Sequence, residues 1–367
     1  MSLRVIATSR TGTNDVLTLL NGQTMLIARG ATITASTGDA INAADGAGAV
    51  SLRVAGSVFA ASGGARVGAN DTTSGSLTVT ETGIIGGDWF AAIVFGNTLT
   101  VNTAGGLFGG TYGLFTSATS TSGENRQTVT NSGEIIGGTY GVYLESVTKT
   151  ATITLLNTAD GIIEGGTYAV FSDGSVAIDR ITNNGQMIGD LVLRGGNDRY
   201  DGRNGRLVGE ARMGDGNDTA MGGVAVDRLL GDAGNDRLMG FGAVDFLTGG
   251  AGTDTLTGGA GNDRFVFTAP TDGPDSITDF SNVAGNNDMF HITAAAFGGG
   301  LVAGALAAGQ FRTATTNQAG DLNDRFIFRT TDRSLWFDAD GTNATAPVMV
   351  ADLQAGAVVT AADIVLV

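Results

Sequence analysis

Aspartate recurs every nine residues between Gly214 and Phe267 of this 367-residue chain. The series is Asp218, Asp227, Asp236, Asp245, Asp254 and Asp263, and an earlier member, Asp198, stands in the segment RGGNDRY. Carboxylates at a fixed spacing are suited to holding a hard cation, because Ca²⁺ takes about six to eight oxygen ligands at roughly 2.3–2.6 Å. A single loop cannot supply that many oxygens. Loops of consecutive turns would therefore have to share each ion.

The text around these aspartates approaches one pattern, G-G-x-G-x-D-x-(apolar)-x, which is complete in GGAGTDTLT and GGAGNDRFV and has one departure, Asp232, in GDAGNDRLM. The chain therefore resembles the RTX family, whose glycine-rich nonapeptide binds calcium. In that family two nonapeptides form one turn of a parallel β-roll, which implies two edges of stacked aspartates. These are Asp218, Asp236 and Asp254 on the first edge, and Asp227, Asp245 and Asp263 on the second. Glycine and asparagine also make tight turns by themselves, but turns do not require an aspartate at constant phase.

An apolar residue follows each aspartate by two positions and is expected to begin a short strand that points into a core. These residues are Ala220, Leu229, Leu238, Leu247, Leu256 and Phe265. The glycines before each aspartate allow positive-φ turns that bring backbone carbonyls close to an ion. The predicted metal-site residues are Asp198, Gly214, Gly216, Asp218, Asp227, Gly231, Gly234, Asp236, Asp245, Gly249, Gly250, Gly252, Asp254, Gly258, Gly259, Gly261 and Asp263.

The two edges differ in one glycine position. Two residues before the aspartate, the first edge has Gly216, Gly234 and Gly252. The same place on the second edge holds Ala225, Ala243 and Gly261. We therefore expect well-formed calcium sites along the first edge and weak or missing ones between Asp227 and Asp245.

Composition narrows the class of protein. Sixty glycines without the collagen period indicate a turn-dense β architecture, and 42% hydrophobic residues exclude a disordered chain. The net charge of −16 argues against nucleic acid or an anionic membrane surface as partner. No run approaches the ~18 apolar residues of a transmembrane helix, and the start of the chain does not resemble a secretory signal peptide.

A second and longer repeat runs from about Met25 to Met187. Aligning its segments places seven glycines in equivalent positions, at steps of 23 to 28 residues: Gly30, Gly56, Gly83, Gly106, Gly133, Gly161 and Gly185. Short apolar or alternating segments separated by Gly, Asn, Thr and Ser are typical of a solenoid. We expect each repeat to form one turn of a parallel β-helix that continues into the β-roll with one core.

Four of these repeats carry aromatic residues in phase. The pattern predicts that Trp89, Tyr112, Tyr140 and Tyr168 stack as a ladder, and that Phe115, Tyr143 and Phe171 form a second one. Identical positions on adjacent turns touch, so the ladders can be simple packing. An exposed aromatic row can also bind flat sugar rings, and both interpretations stay open.

The segment after Phe267 resembles the region that follows the repeats in RTX exoproteins such as the serralysin group, on the phrase DSITDF. The text from RFIFRTTDRSLWF onward resembles the terminal hairpins of that family. The ending, Asp363 followed by IVLV, resembles an uncleaved C-terminal signal for a type I (ABC-transporter) exporter, although it is also compatible with an ordinary final strand.

The expected fold is all-β: a parallel β-solenoid whose N-terminal β-helix continues into a calcium-binding β-roll, with a β-rich C-terminal cap. The expected domains are residues 1–190 for the β-helix of long turns, 191–267 for the β-roll, and 268–367 for the cap and secretion signal.

The sequence gives little sign of catalysis. The chain has no HExxH zinc motif, and its one histidine, His291, is expected to be a strand residue of the cap. Lyases and epimerases on parallel β-helices use clustered acids and bases. Here the acids of the long repeats are scattered in sequence: Asp88, Glu134, Glu145, Asp160, Glu164 and Asp173. A cluster of acidic and basic groups facing one groove would favour an enzyme.

We therefore expect a non-enzymatic, secreted protein that binds Ca²⁺, folds outside the cell and self-assembles into a filament, sheath or surface layer. Its expected partners are further copies of itself, the type I exporter and, as a further candidate, a cell-surface polysaccharide. The alternatives are a calcium-dependent adhesin or carbohydrate-binding module and, third, a polysaccharide lyase or epimerase.

Overall fold

A computed structural model describes residues 2–43, 48–68, 74–118, 125–146, 151–174, 176–342 and 345–367. The regular secondary structure of the described part is almost entirely β-strand, as predicted, with a single four-residue α-helix, Ala294–Phe297. It forms two compact units, Met1–Ala211 and Arg212–Val367. Within the described residues, no helix is long and apolar enough to span a membrane.

The first unit is a parallel β-solenoid. Its first strands are β1 (Ser2–Ile6), β2 (Arg10–Gly12), β3 (Leu17–Leu19), β4 (Gln23–Ile27), β5 (Thr32–Ala35), β6 (Asp39–Ala43), β7 (Val50–Val54), β8 (Ser57–Ala60), β9 (Gly63–Val67), β10 (Ser74–Val79), β11 (Ile84–Gly87) and β12 (Phe90–Phe95). They are followed by β13 (Thr98–Thr103), β14 (Gly106–Gly109), β15 (Tyr112–Ala118), β16 (Arg126–Asn131), β17 (Glu134–Gly137), β18 (Tyr140–Ser146), β19 (Thr152–Asn157), β20 (Ile162–Ser172), β21 (Ile178–Asn183), β22 (Gln186–Val192), β23 (Arg199–Asp201) and β24 (Arg206–Val208).

Most turns of this unit contribute three strand segments, each paired in parallel with its equivalents on the turns before and after. The first segments of the turns stack in the order β1, β4, β7, β10, β13, β16, β19, β21 and β23. Partners lie from 19 residues apart (Arg180 to Arg199) to 28 (Thr98 to Arg126). The inward column of this stack is apolar and buried: Leu52, Leu77, Val101, Val129, Leu155 and Ile181. The repeat of alternating apolar residues therefore builds one core column per inward position.

The corner between the first and second strand segments explains the repeated glycine. A Cβ at Gly133 would lie 2.1 Å from the carbonyl oxygen of Gly105 on the preceding turn, so only glycine fits. The register corrects two of the seven predicted positions. Ala31 rather than Gly30, and Gly105 rather than Gly106, are equivalent to the other corner residues. The cause is a corner that differs in length by two residues between neighbouring turns: β4 and β7 pair at an offset of 27 (54 − 27), whereas β5 and β8 pair at 25 (57 − 32).

Asn131, Asn157 and Asn183 are the last residues of β16, β19 and β21 and form a buried ladder over three turns. The Asn131 amide donates to the Asn157 side-chain oxygen at 2.9 Å, and Asn157 donates to Asn183 at 2.9 Å. Asn157 also donates to the carbonyl oxygens of Gly161 and Gln186. These amides satisfy the backbone at the corner, where the chain leaves the sheet ladder.

The predicted aromatic ladders form on the outer face, with one correction. Tyr112 stacks on Tyr140 and Tyr140 on Tyr168, at centroid distances of 5.0 and 5.3 Å. In the second ladder Phe115, Tyr143 and Phe171 stack at 5.0 and 5.4 Å. Trp89 does not continue the first ladder. Phe90 occupies the register position opposite Tyr112, and Trp89 meets Tyr112 edge-on at 6.1 Å.

The second unit begins as a narrower solenoid. Its strands are β25 (Ala211–Asp215), β26 (Thr219–Met221), β27 (Arg228–Ala233), β28 (Arg237–Gly242), β29 (Phe246–Ala251), β30 (Thr255–Ala260), β31 (Arg264–Phe267), β32 (Asp275–Ile277), β33 (Asn282–Val283), β34 (Asn286–Asn287), β35 (Met289–Ile292), β36 (Gly304–Ala305), β37 (Phe311–Ala314), β38 (Phe326–Arg329), β39 (Ser334–Phe337), β40 (Val348–Leu353) and β41 (Ile364–Leu366). The α-helix α1 (Ala294–Phe297) and the 3₁₀ turns Ala308–Gln310 and Ala361–Asp363 complete it.

Two nonapeptides form one turn of this unit, as the resemblance implied. Thr219 pairs with Arg237 and Arg237 with Thr255, each step being 18 residues (237 − 219 and 255 − 237). Each apolar residue two places after an aspartate is fully buried, and each lies in the strand that follows its aspartate: Ala220, Leu229, Leu238, Leu247, Leu256 and Phe265.

Antiparallel strands close this solenoid. β40 pairs in parallel with β32 and antiparallel with β39, which in turn pairs antiparallel with β38. β41 pairs in parallel with β35 and antiparallel with β36. The expected hairpins are therefore present, and Ile364–Leu366 of the IVLV ending form a strand of the sheet. His291 lies in β35, opposite Val365, as a half-buried strand residue.

Candidate metal centre

The aspartates of the nonapeptides form two hydrogen-bonded ladders, one along each edge of the second unit. After the first aspartate of each edge, every aspartate accepts the backbone N–H of the aspartate one turn before it through its Oδ1 atom. On the first edge Asp218 N–H donates to Asp236 and Asp236 N–H donates to Asp254, at 2.8 and 2.7 Å. On the second edge Asp227 N–H donates to Asp245 and Asp245 N–H to Asp263, at 2.8 and 2.9 Å. The regular spacing of the aspartates therefore provides hydrogen-bond acceptors for backbone N–H groups, in addition to ligands for any ion.

The second carboxylate oxygen, Oδ2, has no protein partner at four of these positions. Oδ2 of Asp236, Asp245, Asp254 and Asp263 is buried and accepts no hydrogen bond. Buried polar atoms are rarely left unsatisfied, because the loss of hydration without a new partner costs about 1–3 kcal/mol. A cation beside Oδ2 would satisfy each of these atoms.

The space beside each Oδ2 is kept open by a glycine five residues before the aspartate. A Cβ at Gly231 would lie 2.2 Å from Asp236 Oδ2 and 2.5 Å from the carbonyl oxygen of Gly249 on the next turn. Gly249 and Gly258 stand in the same relation to Asp254 and Asp263, at 2.2 and 2.3 Å from Oδ2. A carboxylate and a carbonyl oxygen thus converge on one small space, which fits the oxygen chemistry of calcium.

Two backbone positions in each complete loop have positive φ. Four residues before the aspartate these are Gly214, Gly250 and Gly259, with φ near +100°, and Asp232, with φ of +70°. Two residues before it they are Gly216, Gly234, Gly252 and Gly261, with φ from +135° to +147°. These conformations are accessible to glycine and strained for other residues. The glycines also allow the loops to stack, since a Cβ at Gly252 would lie 1.7 Å from the carbonyl oxygen of Gly234.

The second edge departs from this geometry at its first loop. Neither Gly223 nor Ala225 has a positive φ, whereas Phe241 and Ala243 of the next loop are held at +80° and +74°. Asp227 Oδ2 accepts the N–H of Gly223 in its own loop at 2.6 Å. That oxygen is therefore already satisfied, which favours the expectation of a weak or missing site between Asp227 and Asp245.

Burial raises the pKa of the stacked carboxyls. It raises the pKa of Asp236 and Asp245 to about 7, against the opposing effect of the N–H bonds that they accept. The neighbouring aspartates of the same edge raise these pKa values further, Asp218 and Asp254 for Asp236 and Asp227 and Asp263 for Asp245. A positive charge nearby would therefore be needed to stabilise the ionised form of these carboxyls at neutral pH.

Carboxylates alone do not make these sites. Among the residues that the structure describes, no three His, Cys, Asp or Glu side chains gather into a group that could hold a metal ion. Main-chain carbonyl oxygens such as that of Gly249, together with water, would complete the shell.

Asp198 shows the same loop geometry within the first unit. Arg194 and Gly196 have φ of +63° and +138°, at four and two residues before the aspartate. Asp198 Oδ1 accepts the N–H of Asp179 at 2.8 Å, and burial raises the pKa of Asp198 to about 8, with the nearby Asp179 as a second cause. Asp179 is fully buried.

Two further aspartates continue the ladders and were not predicted. Asp254 N–H donates to Asp275 at 3.1 Å, and Asp263 N–H donates to Asp288 at 3.0 Å. These two aspartates do not follow the sequence repeat. Asp275 lies 21 residues after Asp254 (275 − 254) and Asp288 lies 25 residues after Asp263 (288 − 263), instead of 18. The usable signal is the apolar residue two places later, Ile277 and Phe290, both fully buried.

Gly240 was also missed. A Cβ there would lie 2.2 Å from Asp245 Oδ2 and 2.7 Å from the Gly258 carbonyl oxygen. It belongs to the glycine set five residues before the aspartate. The sequence did not indicate Gly240 because its loop has Phe241 and Ala243 at positions where the repeat has glycine.

Asp236→Asn and Asp227→Asn form a matched pair that tests the difference between these two loops. In Asp236→Asn the amide oxygen still accepts the Asp218 N–H, but an NH₂ group replaces the unpaired Oδ2. We expect the calcium concentration at half-saturation to rise at least about tenfold, equivalent to about 1.4 kcal/mol. Because Asp227 Oδ2 is bonded within its own loop, Asp227→Asn should shift it less than about threefold. Calcium titration by calorimetry measures both, and equal shifts would contradict the assignment.

The comparison with protein families agrees with this geometry. The family model of the RTX calcium-binding nonapeptide repeat (4 copies) matches residues 214–240 and 239–268. No curated protein matches the chain. The RTX family binds Ca²⁺, and proteins with these repeats are typically secreted. The paired nonapeptides, stacked aspartates and glycine loops of the second unit are the features of that repeat. Residues 214–268 of this chain are therefore RTX calcium-binding nonapeptide repeats.

Proposed function

We propose that this chain is a secreted structural protein that folds on Ca²⁺ outside the cell and self-assembles into a filament, sheath or surface layer. The observation that carries the calcium-dependent folding is the unpaired, buried Oδ2 of Asp236, Asp245, Asp254 and Asp263. In this proposal the predicted aspartates and loop glycines hold the ions, together with backbone carbonyl oxygens.

Folding would wait for export. A type I exporter passes an unfolded chain, and extracellular calcium modules bind at about 10⁻⁴–10⁻³ M, a concentration that the cytosol does not reach. We propose residues 1–190 as the β-helix, 191–267 as the calcium-binding β-roll and 268–367 as the cap with the export signal. The final strand β41 would serve as signal while unfolded and as a sheet strand afterwards.

Self-assembly is proposed at the edge formed by β1, β2 and β3. Within the described residues, each of these strands pairs on one side only, with β4, β5 and β6. Leu3 and Val5 of β1 are 64% and 52% exposed. An open strand edge with exposed apolar side chains favours pairing with another chain. The proposed occupant is a second copy of this protein.

Electron microscopy of the full chain with millimolar calcium and with chelator tests this proposal. We expect ordered assemblies in calcium and none in chelator. Leu3→Glu should abolish them, because a charge at the edge opposes strand pairing. The matched control is Val302→Glu, since Val302 is also exposed (76%) but lies in the second unit. Monodisperse monomers in calcium, or assembly that survives Leu3→Glu, would overturn assembly through this edge.

A further inference from the structure

The outer face of the first unit carries a cleft where the aromatic ladders end. We call it the aromatic cleft. It encloses about 370 Å³, and its walls include Arg66, Trp89, Tyr112, Phe115, Ser117 and Glu145. These residues come from four successive turns of the solenoid. The volume lies at the lower end of the range for small-molecule sites, about 300–1,000 Å³.

The apolar walls are rings held at right angles to one another. Tyr112 meets Phe115 at a centroid distance of 5.5 Å with an interplanar angle of 89°, and Trp89 meets Tyr112 at 6.1 Å and 77°. Trp89 is 50% exposed. Tyr140 and Tyr143 stack behind Tyr112 and Phe115, both at 5.0 Å. Stacking within the ladders therefore preorganises these rings in the absence of a ligand.

Polar groups border these rings on the same face. The Ser117 hydroxyl donates to Glu145 Oε2 at 2.5 Å, across the β15–β18 pair. Arg66 forms an ion pair with Asp39 at 3.3 Å, and its guanidinium lies 5.6 Å from the centre of the Phe95 ring. The cleft thus presents hydrogen-bond acceptors and donors at the margin of an aromatic wall.

We propose that the aromatic cleft binds a neutral polysaccharide through one or two of its pyranose rings. The C–H groups on one face of a pyranose are weakly positive, which suits the negative face of an aromatic ring. Its hydroxyls both donate and accept, so they can bond to Glu145, Ser117 and Arg66. An acidic sugar is disfavoured by the Glu145 carboxylate and by the chain's net charge of −16.

Packing alone explains the ladders but not the cleft. Stacked rings on adjacent turns need no open space, and a packing role would not bring an arginine and a glutamate from separate turns to the rim. This arrangement also gathers acidic and basic groups at one groove, the feature that the sequence did not reveal. Arg66 is paired with Asp39 and Glu145 accepts a hydrogen bond from Ser117, so the proposed role of these groups is binding rather than catalysis.

The test uses the full chain in calcium, with Trp336→Phe so that Trp89 is the only tryptophan. Cellohexaose, maltohexaose and laminarihexaose are titrated separately, and alginate hexamer serves as the acidic comparison. We expect at least one neutral hexasaccharide to change Trp89 fluorescence saturably and to bind in calorimetry. Tyr112→Ala and Glu145→Gln should each weaken its binding at least tenfold. Phe59→Ala, an exposed aromatic outside the cleft (40%), should leave it unchanged.

Glu145→Gln keeps the test valid if Tyr112→Ala disturbs the ladder, because it is nearly isosteric. Far-UV circular dichroism and melting in calcium establish that each variant is folded. The proposal is overturned if none of the three neutral hexasaccharides binds, if binding is equal in all variants, or if alginate hexamer binds more tightly. None of these outcomes depends on self-assembly.

Discussion

Removing calcium is expected to unfold the second unit of the full chain. In excess chelator the Oδ2 atoms of Asp236, Asp245, Asp254 and Asp263 would be buried with no partner, and burial would oppose ionisation of these carboxyls. Each independent site at ~100 times its dissociation constant contributes about 2.7 kcal/mol, so three sites contribute about 8 kcal/mol. This is comparable to the whole stability of a typical domain, about 5–15 kcal/mol.

Trp336 is the local reporter for this experiment. It is half-buried in β39, where its indole N–H donates to Ser334 at 2.7 Å. In a Trp89→Phe background we expect its fluorescence to change on chelation, together with a loss of β-structure in circular dichroism. Both signals should return with calcium. Magnesium should not replace calcium, because it demands a tighter octahedral shell and retains its water. A chain with the same β-structure in chelator as in calcium would refute calcium-dependent folding.

Gly252→Ala is expected to be among the most damaging single substitutions in the chain. Gly252 has φ of +146°, and a Cβ there would lie 1.7 Å from the Gly234 carbonyl oxygen of the preceding loop. The loops would have to separate, which would also displace the oxygens around Asp236. We expect a loss of more than about 3 kcal/mol in calcium, from backbone strain and steric overlap together.

Gly309→Ala is the matched control for Gly252→Ala. Gly309 lies in the same unit, and a Cβ there would meet nothing within 4 Å. Its effect on the free energy of unfolding should stay within about 0.5 kcal/mol. Thermal melts in calcium compare the two variants. Equal melting temperatures would show that the loops tolerate a Cβ, against the stacking geometry described above.

The sequence by itself determined the elements that repeat locally. The constant phase of nine gave the 18-residue turn, the two aspartate edges and the buried column from Ala220 to Phe265. The same alternation gave a parallel solenoid in the first unit. These features are predictable because each turn contacts its neighbours through equivalent positions, so a period in sequence becomes a column in space.

Only the tertiary structure decided the features that depend on the register between turns or on contacts with a neighbouring loop. Asp275 and Asp288 join the ladders although inserted residues break the phase, and Asp227 turns its Oδ2 onto Gly223 where Asp236 does not. The register pairs Gly87 rather than Gly86 with Gly109, and this placed Phe90 rather than Trp89 in the ladder. The aromatic cleft likewise exists because four turns bring Arg66 and Glu145 to one face. A sequence period fixes which positions repeat, but hydrogen bonding between turns fixes their alignment and which atoms remain unpaired.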